Sequence, residues 1–143
     1  MPYRKKKPKS ELKKTELVEQ IREASKGLYY TSETDAPIEA FAGSKADAVT
    51  QENLLGQIGK APDSPVEERN FDDFFAQLTE LQDWFGDEEK ATAAKFAGLR
   101  DLLKNNLTDL NVFKIGSIEL DIYAVGLDAH GNLTGIKTKA VET

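Results

Sequence analysis

The sequence has no cysteine and only one histidine, one methionine and one tryptophan among its 143 residues. Without thiols there can be no disulfide, thiolate metal site or cysteine nucleophile, and cysteine usage says nothing about the redox compartment. The single histidine, His130, lies in the turn-like stretch DAHGN. A lone turn histidine is ordinarily solvated, so it offers little basis for a Ser/His/Asp set or an imidazole-held metal. No apolar run approaches the roughly 20 residues that a membrane span needs. No Gly-rich phosphate loop is present, because strand-like residues separate the glycines of GSIELDIYAVG. The opening MPYRKKKPKSELKK carries the charges of a secretion signal with no apolar region behind them, which predicts no signal peptide.

What is present suits one globular domain. Hydrophobic residues make up 39% of the chain and charged residues 31%, enough for a core in a chain of this length. The net charge of -6 is unevenly spread, since the opening is strongly basic and the remainder correspondingly acidic. An acidic body repels phosphates, so direct nucleic-acid binding is not expected, whereas a basic protein partner fits. Residues 1–9 read as a basic disordered lead-in, either a solubilising tail or an arm for an anionic surface. Residues 10–143 read as a single domain. A cytoplasmic monomer without a cofactor or membrane contact is expected.

The apolar period marks the elements. Ser10 is a plausible cap for a first helix, with Leu17, Ile21, Ala24 and Leu28 on one face and Gly27 placed for a left-handed helix end. YYTSETDAP, rich in turn residues, reads as a loop, and IEAFAG as a short strand. Thr50 should cap a short helix over TQENLLGQIG, and KAPDSPVEER reads as a surface connection. Asn70 should cap a helix running to Phe85, with Phe71, Phe74, Phe75, Leu78 and Leu81 facing the core. Gly86 breaks it. Asp87 should cap the next helix, whose stripe is Phe96, Leu99, Leu103 and Leu107.

The period then becomes two, predicting three consecutive strands in an antiparallel meander: VFKIG, SIELDIYAVG and LTGIKTKAVET. In the middle strand Ile118, Leu120, Ile122 and Ala124 should face inward. Gly135 is a candidate bulge.

Carboxylates are numerous, but those at helix starts are explained by the helix dipole, and an enzyme is the weaker reading. The stretch LQDWFGDEE holds the only tryptophan, Trp84, among acids at a helix end. On residue type alone it is either partly buried core or the anchor of a protein contact, with Asp83 beside it for a basic partner.

EASKGLYYTSETDAPIEAF, QDWFGDEE with AKFAGL, GSIELDIYAVG, and GNLTGIKTKAVET together resemble the nuclease A inhibitor family of cyanobacterial type. The order and spacing hold from about Ser10 to Thr143. The resemblance implies an α+β fold, a three-layer α/β/α sandwich around an antiparallel sheet of about four strands. It implies a stoichiometric inhibitor of a magnesium-dependent, sugar-nonspecific endonuclease, with no metal of its own. By matching positions, Glu33 would face the nuclease active site, Asp83 and Trp84 would supply interface contacts, and Thr143 would reach the enzyme's magnesium through its hydroxyl and carboxylate. The alternative is an interaction module for a different basic partner, built on Asp83 and Trp84. The basic lead-in lies outside the resemblance, and GSKADAV and KAPDSPVEER match it weakly.

Overall fold

The computed structural model describes residues 14–143, so the expected cap at Ser10 and the lead-in over residues 1–9 lie outside the described part. The chain runs α1 (Lys14–Ser25), β1 (Tyr29–Thr31), β2 (Asp35–Pro37), β3 (Glu39–Lys45), α2 (Gln51–Ile58) and β4 (Val66–Arg69). It continues through α3 (Phe71–Thr79), α4 (Asp87–Asn106), β5 (Thr108–Ile115), β6 (Glu119–Leu127) and β7 (Asn132–Val141). Five strands form one antiparallel sheet in the order β3-β7-β6-β5-β4, and β1 and β2 form a separate two-stranded ladder.

The mixed fold class and the meander of β5, β6 and β7 agree with the sequence pattern. The main sheet has five strands rather than about four. The additional strand is β4, within the stretch read as a surface connection. Its VEER segment has one half-buried side chain and pairs through its backbone with Val112–Ile115. A charged edge strand has little apolar signal, because water takes its charged side chains and the ladder and Val66 hold it. YYTSETDAP likewise is a hairpin and not a loop, with Tyr29, Tyr30 and Thr31 opposite Pro37, Ala36 and Asp35.

Successive residues of the central strands serve opposite faces. Val112, Ile122, Ala124 and Ile136 join one apolar cluster with residues of α1, α3 and α4. Phe113, Val125 and Leu133 join a second with Leu54 and Leu55 of α2. Val125, expected on the polar side of its strand, is therefore fully buried, since α2 covers that end of the sheet.

Local capping chemistry sets several boundaries. Thr50 Oγ1 accepts from the Asn53 N–H at 3.1 Å and Asn70 Oδ1 from the Asp73 N–H at 3.0 Å, both as expected. Gly27 is left-handed at φ 78° and closes α1. The α3 helix ends at Thr79, short of Phe85, because its apolar period has no core to meet further on and Leu81 is 63% exposed. Gly86, rather than Asp87, is the N-cap of α4, and the Glu89 carboxylate accepts from its N–H at 3.1 Å.

Two further expectations change. Gly135 is no bulge, since β6 and β7 pair without interruption from Glu119–Val141 to Leu127–Leu133. Ile118 does not face inward. It precedes β6 in the β5–β6 turn and is 57% exposed. Ile118→Ser should therefore change stability by less than about 0.5 kcal/mol, whereas Ile122→Ser, in the core, should cost several. Urea melts of the two variants check this, and an equal loss for both would contradict the assignment.

Candidate functional site

Glu33 and Thr143 lie 110 residues apart in sequence, and the fold brings them into contact. The Thr143 hydroxyl donates to the Glu33 carboxylate, 2.9 Å from Oε1 and 3.1 Å from Oε2. The Thr143 backbone N–H also donates to Oε2 at 3.1 Å. Both residues are exposed, so the pair forms a polar tip where the hairpin turn meets the end of β7.

The surrounding structure explains the meeting. Tyr30 of β1 stacks on Phe74 of the core, with ring centroids 5.7 Å apart. Ala36 is buried, and the Thr138 hydroxyl donates to the Pro37 carbonyl at 3.0 Å. These contacts seat the hairpin beside β7. At its turn the Ser32 N–H donates to the Thr34 carbonyl at 2.9 Å, and the Glu33 N–H donates to the Val141 carbonyl at 3.3 Å. Ser32 Oγ accepts from the Val141 N–H at 3.0 Å. On the opposite side of the terminal segment the Glu142 N–H donates to the Ile118 carbonyl at 2.9 Å, and Lys114 pairs with the Glu142 carboxylate at 3.3 Å.

Asp83 and Trp84 occupy the connection between α3 and α4. Trp84 is 74% exposed, so of its two readings the buried one is excluded. Its indole meets the half-buried Phe85 ring edge to face, with centroids 4.7 Å apart. A groove of about 490 Å³ beside it is lined by Leu78, Phe85, Glu88, Glu89 and Thr92. Asp83 is exposed as well. Among the described residues no hydrogen bond or ion pair joins Asp83 or Trp84 to the Glu33–Thr143 pair, so the site consists of two surface features.

The other polar groups have structural work. Asp128 accepts from the N–H groups of His130 and Asn132, each at 2.9 Å, and so closes the β6–β7 turn, leaving His130 exposed. Asp121 pairs with Lys60 at 3.0 Å, tying the end of α2 to β6, and that hydrogen bond raises the lysine's pKa. Burial, followed by the charge of Asp121, raises that of the Tyr123 phenol. Among the described residues no group of three or more histidine, aspartate or glutamate side chains is placed to hold a metal ion. No helix among them is long and apolar enough to cross a membrane.

A family model described as nuclease A inhibitor-like protein matches residues 15–143, nearly the whole chain. The chain belongs to the nuclease A inhibitor-like family. Among curated proteins no relative matches. For a member of this family, whose name implies a nuclease partner, the contact of Glu33 with Thr143 is the most informative part of the geometry. Ser32, Glu142 and Ile118, which surround that contact, were not legible in the sequence as site residues. The SET triplet at a hairpin turn was the one available signal, since serine side chains there commonly bond to nearby backbone.

Proposed function

We propose that this protein is a stoichiometric, non-catalytic inhibitor of a magnesium-dependent endonuclease acting on both DNA and RNA, and that it fills the enzyme's active site. The observation that supports this reading is the exposed Glu33–Thr143 pair. A hydroxyl that donates its proton to a carboxylate keeps its lone pairs free and more electron-rich. Such an oxygen suits magnesium, a hard cation that takes oxygen ligands and retains exchangeable waters. The Glu33 carboxylate has about four acceptor positions, so it can receive Thr143 and still pair with an arginine or lysine that would otherwise hold the scissile phosphate. The magnesium belongs to the enzyme, and no bond is made or broken on this chain.

Asp83, Asp87 and Glu88, all exposed, would steer the approach to a basic groove, acting on the association rate more than on affinity. Trp84 would be the desolvated anchor. Trp84→Ala is expected to weaken binding by about 2 kcal/mol, roughly thirtyfold in Kd. Its effect on stability should stay below about 0.5 kcal/mol, because the indole is already in water. In this reading one monomer engages one enzyme.

Titration of the purified protein into a magnesium-dependent, sugar-nonspecific nuclease assay tests the function. Activity should fall linearly to an end point at one inhibitor per enzyme. Undiminished activity at a large molar excess would refute it.

The exposure of Trp84 and its groove favours a second reading, an interaction module for another basic protein. In that case Trp84→Ala would abolish partner capture while deletion of Thr143 would not.

A further inference from the structure

We infer that Ser32 is the positioning residue of this site: its hydroxyl clamps the end of β7 to the hairpin and so sets where Thr143 stands. The consequence for inhibition rests on the function proposed above, but the clamp itself does not.

The need for a clamp follows from the sheet. Strand β3 covers β7 only as far as the Glu39–Lys137 pair. Beyond it, alternate backbone groups of an antiparallel strand point to opposite sides. Since the Glu142 N–H turns toward Ile118 and β6, the N–H groups of Val141 and Thr143 turn the other way, where, among the described residues, no strand of the main sheet lies. A stretch of strand without a ladder partner on one side opens readily.

The hairpin takes the place of the missing strand. Ser32 Oγ accepts the Val141 N–H at 3.0 Å and donates to the Thr34 carbonyl at 3.1 Å, so one hydroxyl fixes the turn and receives the strand together. The Glu33 N–H adds a bond to the Val141 carbonyl at 3.3 Å. Serine suits this work, because a half-buried side chain with one rotatable bond loses little freedom when it is held. The longer, exposed Glu33 side chain loses more freedom and is a poor sole anchor for Thr143. With the backbones docked through Ser32, the Glu33 carboxylate and the Thr143 hydroxyl meet without a search. Ser32 need not touch the nuclease.

Amide hydrogen exchange and inhibition, measured side by side on Ser32→Ala and Ser32→Thr, test the inference. In Ser32→Ala, exchange at Val141 should accelerate on the order of tenfold, as expected when a strand end loses its anchor. Amides deeper in β7, such as Ile136, and the thermal midpoint should not move. Inhibition of a magnesium-dependent nonspecific nuclease should weaken by a similar factor, and Ser32→Thr, which keeps the hydroxyl, should restore both. Unchanged exchange at Val141 in Ser32→Ala overturns the clamp. Faster exchange with undiminished inhibition overturns the positioning role. Faster exchange in a protein whose wild type does not inhibit supports the clamp and overturns the inhibitor function alone.

Discussion

Deleting Thr143 is expected to raise the inhibition constant by at least about a hundredfold, equivalent to about 2.8 kcal/mol. The deletion removes the oxygen proposed to meet the magnesium and releases the Glu33 carboxylate from its three contacts. Hydrogen bonds to charged groups are worth about 1.5–3 kcal/mol each, so losing a metal contact along with the order of its neighbour accounts for the size. The fold should not register the change. Thr143 is exposed, lies beyond the last residue of β7 and contributes nothing to either apolar cluster. The circular dichroism spectrum and the thermal midpoint should match those of the wild type. Thr143→Val should fall between the two, because it keeps the backbone N–H bond to Glu33 and loses only the hydroxyl. If the shortened chain inhibits as well as the full one, the active-site plug is wrong and the weight moves to Trp84.

The largest effect on stability is expected from Gly135→Ala, at about 3 kcal/mol or more and a fall of roughly 10 °C in Tm. A methyl group at Gly135 would run into the Ala124 carbonyl oxygen and stand 2.9 Å from the Val125 Cα, both backbone atoms of the paired strand. A flexible side chain could yield to such a clash, but a hydrogen-bonded neighbouring strand cannot without losing part of its ladder. Gly98→Ala provides the contrast. That glycine lies in the interior of α4, where an added methyl meets nothing within 4 Å, so the change should stabilise by about 0.5–1 kcal/mol. Chemical denaturation of both variants measures the difference. A Gly135→Ala protein as stable as the wild type would show that β6 and β7 can separate at this point.

These cases also show how far the sequence could be read. The caps at Thr50 and Asn70 and the stripe of α4 are legible because they are written within a few residues: Asn70 and Asp73, Thr50 and Asn53, the heptad-like run from Phe96 to Leu103. The meander was legible for the same reason. Gly135 stands out in the sequence, but a close approach between strands depends on a neighbour that only the register identifies. Alternation places Ile118 inside, yet the strand begins one residue later and the turn carries it outward. The strand expected over VFKIG begins earlier, at Thr108, for a related reason. Asp109 adopts φ 56°, and the pairing of β5 with β6 shifts between Thr108 and Asn111, so a strand continues through residues that break its pattern. The candidate site divides in the same way. Asp83 and Trp84 stand out by residue type and Glu33 and Thr143 through the family resemblance, but nothing in the chain order says that Glu33 and Thr143 touch. That fact belongs to the hairpin, whose few residues have too little apolar alternation to announce a strand.

The treatment of the sheet edges bears on how a partner can approach. Many domains bind a peptide by letting it add a strand to an open edge. Here β4 presents charged side chains along one edge. On the opposite edge Gln57 of α2 bonds the Ser44 N–H at 2.8 Å and the Ser44 carbonyl at 2.9 Å, occupying backbone groups that an incoming strand would need. Beyond β3, the end of β7 is met by the hairpin. Strand addition would have to displace these contacts, so under the function proposed above a partner with a deep cleft that receives the tip is expected rather than one that offers a free strand.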